Sequence, residues 1–223
     1  MVLPYPPFDI TVTTPRLRLL GASDEQLERL VPVVREGVVA DGEVPFDDPI
    51  SFYEPSPERE WRWMKAIWRG RSRTEREWWR LYFVVEVDGG LVGMQDLIAE
   101  DFTTYKAVST FSWLAASARG RGLGREMRSA ILHLAFAGFD ASEAQSEAFV
   151  DNDASNGVSR SLGYQENGTT WATRRGRPCE LRRWKLSRAT WEAVRRTDIE
   201  LTGVEACRAF LGVASGGDEP HMG

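Results

Sequence analysis

Two apolar runs, Leu81 to Val87 and Leu91 to Leu97, are joined by Asp88-Gly89-Gly90. No other feature restricts the fold of this chain as strongly. Asp-Gly and Gly-Gly supply the positive φ angles of a tight turn, so the two runs are predicted to fold back as an antiparallel hairpin. A further strand is expected from Ala107 to Leu114.

Helical and extended patterns alternate around this hairpin. Ile10 to Leu20 reads as a strand or hairpin interrupted at Pro15. Ser23 and Gln26 have capping-box spacing, which predicts a helix from Asp24 that Pro32 kinks or splits. Ser56-Pro57 predicts a second helix start, with Trp61, Met64, Ile67 and Trp68 at helical spacing. After a Gly/Arg loop comes a helical pattern, Met127 to Phe136, ending near Gly138. A strand (144–150), a helix (155–162) and two strands separated by Arg174-Arg175-Gly176-Arg177-Pro178 follow. Ser187 caps a helix through Val194, and an amphipathic segment from Val204 to Leu211 precedes a frayed tail. The chain has 223 residues, 42% of them hydrophobic and 27% charged, which places it among globular proteins of one large or two small domains. No repeat or long linker divides it, so one mixed α+β domain is expected.

Composition removes several functions. Two cysteines, Cys179 and Cys207, and two histidines, His133 and His221, leave no ligand set for a metal and no histidine-based triad. A net charge of −5 argues against a nucleic-acid binder. No apolar run is long enough to span a membrane, and the opening ten residues lack the signal-peptide pattern, so a cytoplasmic location is expected. Trp61, Trp63, Trp68, Trp78 and Trp79 crowd one stretch, as core or as a binding wall.

The segment from Trp113 to Arg128 sets Gly120, Gly122 and Gly124 at alternating positions between a strand and a helix, among Arg119, Arg121 and Arg125. Glycines let backbone N–H groups converge, and the helix start adds positive potential, so a phosphate or pyrophosphate is the expected guest. A Walker loop would need Lys-Ser/Thr after Gly124, and a dinucleotide fingerprint would need a small residue at Arg125.

Read as Arg119-x-x-Gly122-x-Gly124, the loop resembles the acyl-CoA pyrophosphate signature of the GCN5-related N-acetyltransferase (GNAT) family. Asp151 to Tyr164, with Asn152, Ser155 and Leu162-Gly163-Tyr164, resembles the Asn-x-x-Ser…Leu-Gly-Phe/Tyr segment of its Rim-type branch. Thr14-Pro15-Arg16-Leu17-Arg18-Leu19 resembles that branch's opening. The resemblance covers roughly Thr13 to Leu186. It implies a strongly bent mixed sheet with flanking helices, an acetyltransferase domain over 13–188, and terminal extensions at 1–12 and 189–223.

The same resemblance implies acetyl-CoA, or another acyl-CoA, as donor. Pantetheine would lie along Trp113 and Leu114, the pyrophosphate on Arg119, Gly120, Arg121, Gly122, Leu123, Gly124 and Arg125, and Asn152 and Ser155 would touch the cofactor. Asn152 also reads as an ordinary Asx turn or helix cap. Acyl transfer to an amine needs a neutral amine, a polarised carbonyl and a proton for the leaving thiolate. Ser155 and Tyr164 are the two candidate acids, with Ser155 preferred; Asp96, or an acid of the 41–48 loop acting through water, is the candidate base. Asp41, Glu43, Phe46, Asp47 and Asp48 form an acidic, aromatic loop suited to a cationic amine, and equally read as a solvated charge run.

The expected activity is N-acetylation of a primary amine by direct attack in a ternary complex. The acceptor is a protein N-terminus or a small-molecule amine such as an antibiotic, with no nucleic-acid or membrane partner and a homodimer left open. The alternative is a non-catalytic acyl-CoA-binding module.

Overall fold

In the computed structural model, which describes residues 4–39, 45–46 and 52–213, the predicted hairpin forms the middle of the sheet. Strands β3 (Trp78–Val87) and β4 (Gly90–Glu100) pair antiparallel from Val87 opposite Gly90 outward. Asp88 and Gly89 take φ angles of 51° and 78°, the handedness that a two-residue turn between twisted strands requires.

Seven further strands extend this pair. Strands β1 (Thr11–Thr13) and β2 (Arg18–Gly21) form the hairpin expected around Pro15, and β5 (Ala107–Leu114) lies on the other side of β4. Strand β6 (Glu143–Phe149) joins β5 in parallel, followed by the hairpin β7 (Gln165–Arg174) and β8 (Arg177–Ser187). Strand β9 (Glu200–Thr202) pairs with β1, giving the mixed, open order β7-β8-β6-β5-β4-β3-β2-β1-β9. This is the α+β class expected from the sequence.

Helices cover both faces. Helices α1 (Asp24–Glu36) and α2 (Glu58–Arg71) bury Leu27, Leu30, Val34, Trp63 and Ile67 against Tyr82, Val84, Met94 and Trp113. The short α3 (Phe102–Tyr105) links β4 to β5. On the opposite face α4 (Leu123–His133), continued by a π-helical turn through Gly138, packs Met127, Ala130 and Ile131 onto Leu81, Phe83 and Val85. Helices α5 (Asp153–Ser161), α6 (Arg188–Val194) and α7 (Val204–Leu211) complete the chain. No helix of the described residues is long and apolar enough to cross a membrane.

Several local expectations change. Pro32 does not split α1, which runs unbroken from Asp24 to Glu36; Pro32 and Glu28, whose carbonyl loses its helical donor, are both exposed to solvent. Ser56 does not cap α2, which begins at Glu58; its hydroxyl donates instead to Glu60 Oε1 at 2.6 Å. The separator between β7 and β8 contracts to Arg175-Gly176, because both adopt positive φ and let Arg174 pair with Arg177. Strand β9 is unforeseen. It has three residues and makes no pattern of its own, and only the free edge of β1 defines it.

The tryptophans divide between roles. Trp63 and Trp79 are buried on opposite faces of the sheet, whereas Trp61 and Trp68 are 53% and 45% exposed.

Candidate active site

Among the described residues the only parallel pairing in the sheet ends early. Strand β5 faces β6 from Ala107–Glu143 to Ser109–Gln145 and no further. Strand β6 continues with β8 to Phe149 opposite Leu181, while β5 continues with β4 to Leu114 opposite Gly93. The two strands therefore follow different neighbours, and a cavity of about 410 Å³ lies between them. Its walls include Phe46, Arg80, Phe111, Ser146, Glu147 and Arg183.

The glycine loop leads toward this gap. Gly120 and Gly122 adopt φ angles of 73° and 75°, in the region where a side chain is strained, and Gly122 precedes α4. The first main-chain bond of α4 runs from Glu126 N to Gly122 O, so the N–H groups of Leu123, Gly124 and Arg125 point out of the helix end. This is an anion-binding geometry. Arg121 and Arg125 are exposed beside it. Arg119 is turned inward: its Nε donates to Leu114 O at 3.1 Å, and its guanidinium also donates to Val38 O.

Thr14 and Arg16 hold this loop from below. Thr14 Oγ1 donates to Glu126 Oε1 at 2.7 Å, Arg16 Nε donates to Glu126 Oε2 at 2.6 Å, and Arg16 Nη1 donates to Arg121 O at 3.0 Å. Burial would raise the Glu126 carboxyl, but the bonds from Thr14 and Arg16 and the charges of Arg16 and Arg196 hold it below its usual range. No sequence motif pointed to Glu126.

The downstream segment closes the far side. Asn152 Oδ1 accepts from Ser155 N at 3.1 Å and so caps α5, which puts half-buried Ser155 in the first helical turn. Asn156 is completely buried: its Nδ2 donates to Phe149 O, its Oδ1 accepts from Trp184 Nε1, and both distances are 2.9 Å. It ties α5 to β6 and β8. Its position next to Ser155 was the only signal available in the sequence. Tyr164 is buried on the α4 side, with no hydrogen-bond partner for its hydroxyl. Burial pushes its phenol up, against the opposing pull of Arg128.

A family model described as an acetyltransferase (GNAT) domain matches residues 16–165. The chain belongs to the GNAT acetyltransferase family. Solved structures of the same fold include RimL, a ribosomal L7/L12 α-N-protein acetyltransferase in complex with coenzyme A. It has a TM-score of 0.62 at 19% identity, over 78% of this chain and 95% of that one. The spermidine/spermine N-acetyltransferase SpeG from Vibrio cholerae aligns at TM-score 0.60 and 15% identity, over 80% and 97% of the two chains. The microcin C7 self-immunity acetyltransferase MccE, in complex with acetyl-CoA and AMP, aligns at 0.62 and 13%, over 78% and 93%.

On the other face of this GNAT sheet, Trp113 packs its ring against Phe52 at 5.3 Å between centroids, in the core under α1 and α2. Asp96 lies on that face, cross-strand from Tyr82. Both Nε and Nη2 of Arg80 donate to Asp96 Oδ2, at 2.9 and 2.6 Å, and Oδ1 is unpartnered. Burial pushes this carboxyl up to about 6 against the attraction of Arg80. It is Arg80 that lines the cavity; Asp96 lies behind it. Of the acidic loop, Phe46 lines the cavity, its ring 5.9 Å from that of Phe111. Asp41, Glu43, Asp47 and Asp48 lie outside the described residues.

Proposed function

We propose that this GNAT domain transfers acetyl from acetyl-CoA to a primary amine by direct attack in a ternary complex. One observation carries the reading: the β5–β6 ladder ends at Ser109–Gln145, and a cavity of about 410 Å³ lies where the two strands part, lined from both faces of the sheet. Bound acetyl-CoA supplies an acetyl group activated as a thioester.

The outward N–H groups at the start of α4, with exposed Arg121 and Arg125, suit a pyrophosphate. Beyond Ser109 the edge of β5 that faces β6 has no strand partner, which suits an amide-containing arm lying against it. Ser155, in the first turn of α5, is the preferred proton donor to the leaving sulfur, and Tyr164 is the second candidate. The amine enters from the Phe46 side, where Phe46, Phe111 and Glu147 offer aromatic faces and a carboxylate to a cation. The acidic residues adjoining Phe46 in sequence add to that preference. Since the related folds include enzymes named for protein N-termini and for polyamines, the acceptor panel should span both classes.

The test is thiol release from acetyl-CoA against amino-terminal peptides, polyamines and aminoglycoside-like amines. Amine-dependent release for one class is expected. Tight acetyl-CoA binding with no release for any amine would leave the non-catalytic acyl-CoA-binding module in its place.

A further inference from the structure

Behind the gap between β5 and β6, on the α4 face, lies a buried arginine. Arg128 is 4% exposed. Its Nη1 donates to Ser146 Oγ at 2.9 Å and its Nη2 to Ser112 Oγ at 3.4 Å, while Nε has no partner. Glu126, the one acid of the same helix, is already held by Thr14 and Arg16. No acid among the described residues pairs with Arg128. Its surroundings are otherwise neutral: Gln95, cross-strand from Ser112, is completely buried with Oε1 unpartnered. Tyr164 is the titratable group that faces it, and burial raises its phenol against the pull of Arg128.

Hydroxyls do not neutralise a buried cation, so the site as built favours an anion. Its place in the fold narrows the choice of anion. Ser146 lies one residue and Ser112 three residues past the last rung of the β5–β6 ladder, so the guanidinium spans the gap where the strands part. Ser146 also lines the cavity. Gly122, at the mouth of the anion loop, precedes Arg128 by six residues, about 9 Å along the helix. A linear ligand running from the loop into the cavity passes Arg128 before it reaches Ser146 at the cavity wall.

We propose that Arg128 faces the departing sulfur of the acyl donor and stabilises it as a thiolate. This inference rests on the acetyl-CoA reading above. In the transfer the amine nitrogen forms the new N–C bond, the C–S bond breaks with its electron pair on sulfur, and one amine proton passes to water in the open cavity; Ser155 protonates the thiolate only after transfer and regains its proton from that water. The positive charge of Arg128 meets negative charge that develops only as the C–S bond breaks, so its effect falls on the transition state.

The experiment is calorimetric binding of CoA and of desulfo-CoA, which lacks the titrating thiol, at about pH 6 and about pH 9. A free thiol titrates near 8.5, and each unit by which Arg128 lowers it tightens CoA about tenfold relative to desulfo-CoA across that range. Wild type is expected to show this tightening, Arg128→Met to lose it while still binding desulfo-CoA, and Arg128→Lys to keep part of it. A merely structural arginine would alter both ligands together and leave their ratio flat with pH. Equal pH dependence of the two ligands in wild type, or an unchanged ratio in folded Arg128→Met, overturns the proposal; the wild-type measurement decides it even if the variant does not fold. Failure of wild type to bind either ligand, or acetyl-CoA, overturns the donor reading itself and this inference with it.

Discussion

The Arg16 guanidinium and the Glu126 carboxylate meet at 2.6 Å, joining the turn between β1 and β2 to the first turn of α4. Glu126 is almost fully buried, so the pair does more than a surface bridge, and it fixes the base of the anion loop. Two segments more than a hundred residues apart in sequence are thus one mechanical unit.

Glu126→Gln should destabilise the fold by about 2 kcal/mol, or about 6 °C in Tm, since hydrogen bonds to a charged group are lost. The folded carboxyl titrates below its usual value. Its contribution is therefore complete above the unfolded value near 4.3 and disappears as pH falls toward the folded one. Urea denaturation of both proteins should show the gap at pH 7 and its closure in acid; a gap that widens in acid contradicts the clasp.

Gly124→Asp tests the loop with little damage to the fold. A Cβ there meets Leu114 and Val158 at 3.9 Å, an ordinary contact, and a carboxylate at a helix start is tolerated. The same charge repels a pyrophosphate. At a hundredfold excess over Kd, acetyl-CoA should stabilise wild type by about 2.7 kcal/mol, or about 8 °C. The variant should keep its own Tm and lose that shift in a thermal melt.

Asp96→Asn should act in the opposite pH sense from Glu126→Gln. The Asp96 carboxyl, pushed up to about 6, keeps a proton in the folded state that the unfolded chain releases from about pH 4. Its contribution to stability therefore falls as pH rises from 4 to 6. Relative to wild type, the asparagine variant should gain up to about 3 kcal/mol between those limits, read by denaturation at pH 4.5 and pH 7. A constant difference at the two pH values counts against the buried, raised carboxyl.

Asp47→Asn combined with Asp48→Asn should raise KM for a cationic acceptor several-fold and leave acetyl-CoA affinity unchanged. The neighbouring Phe46 is fixed at the cavity wall by Tyr53, whose hydroxyl accepts from Phe46 N at 2.8 Å. Steady-state kinetics with the amine found by the acceptor panel decide this, and an unaltered KM rejects a role for these two acids.

Sequence patterns sufficed wherever structure depends on near neighbours. The turn at Asp88-Gly89, the Ser23 and Ser187 caps and the Gly122 entry to α4 are local backbone chemistry, written in which residues tolerate positive φ or can accept from an N–H two or three positions on. The family was legible for the same reason, because its motifs are short and contiguous. The sequence could not reveal what depends on two distant segments meeting. Strand β9 exists only against the edge of β1, and Asn156 matters because Trp184 reaches it from β8. Asp96 looked like an available base until Arg80 was found covering it. Arg128 carries no distinguishing signal in the sequence; only the sheet buries it beside two serines with no acid among the described residues. Charge in a sequence is only a count; the field at a site depends on burial and on which partners are present, and the tertiary structure alone decides both.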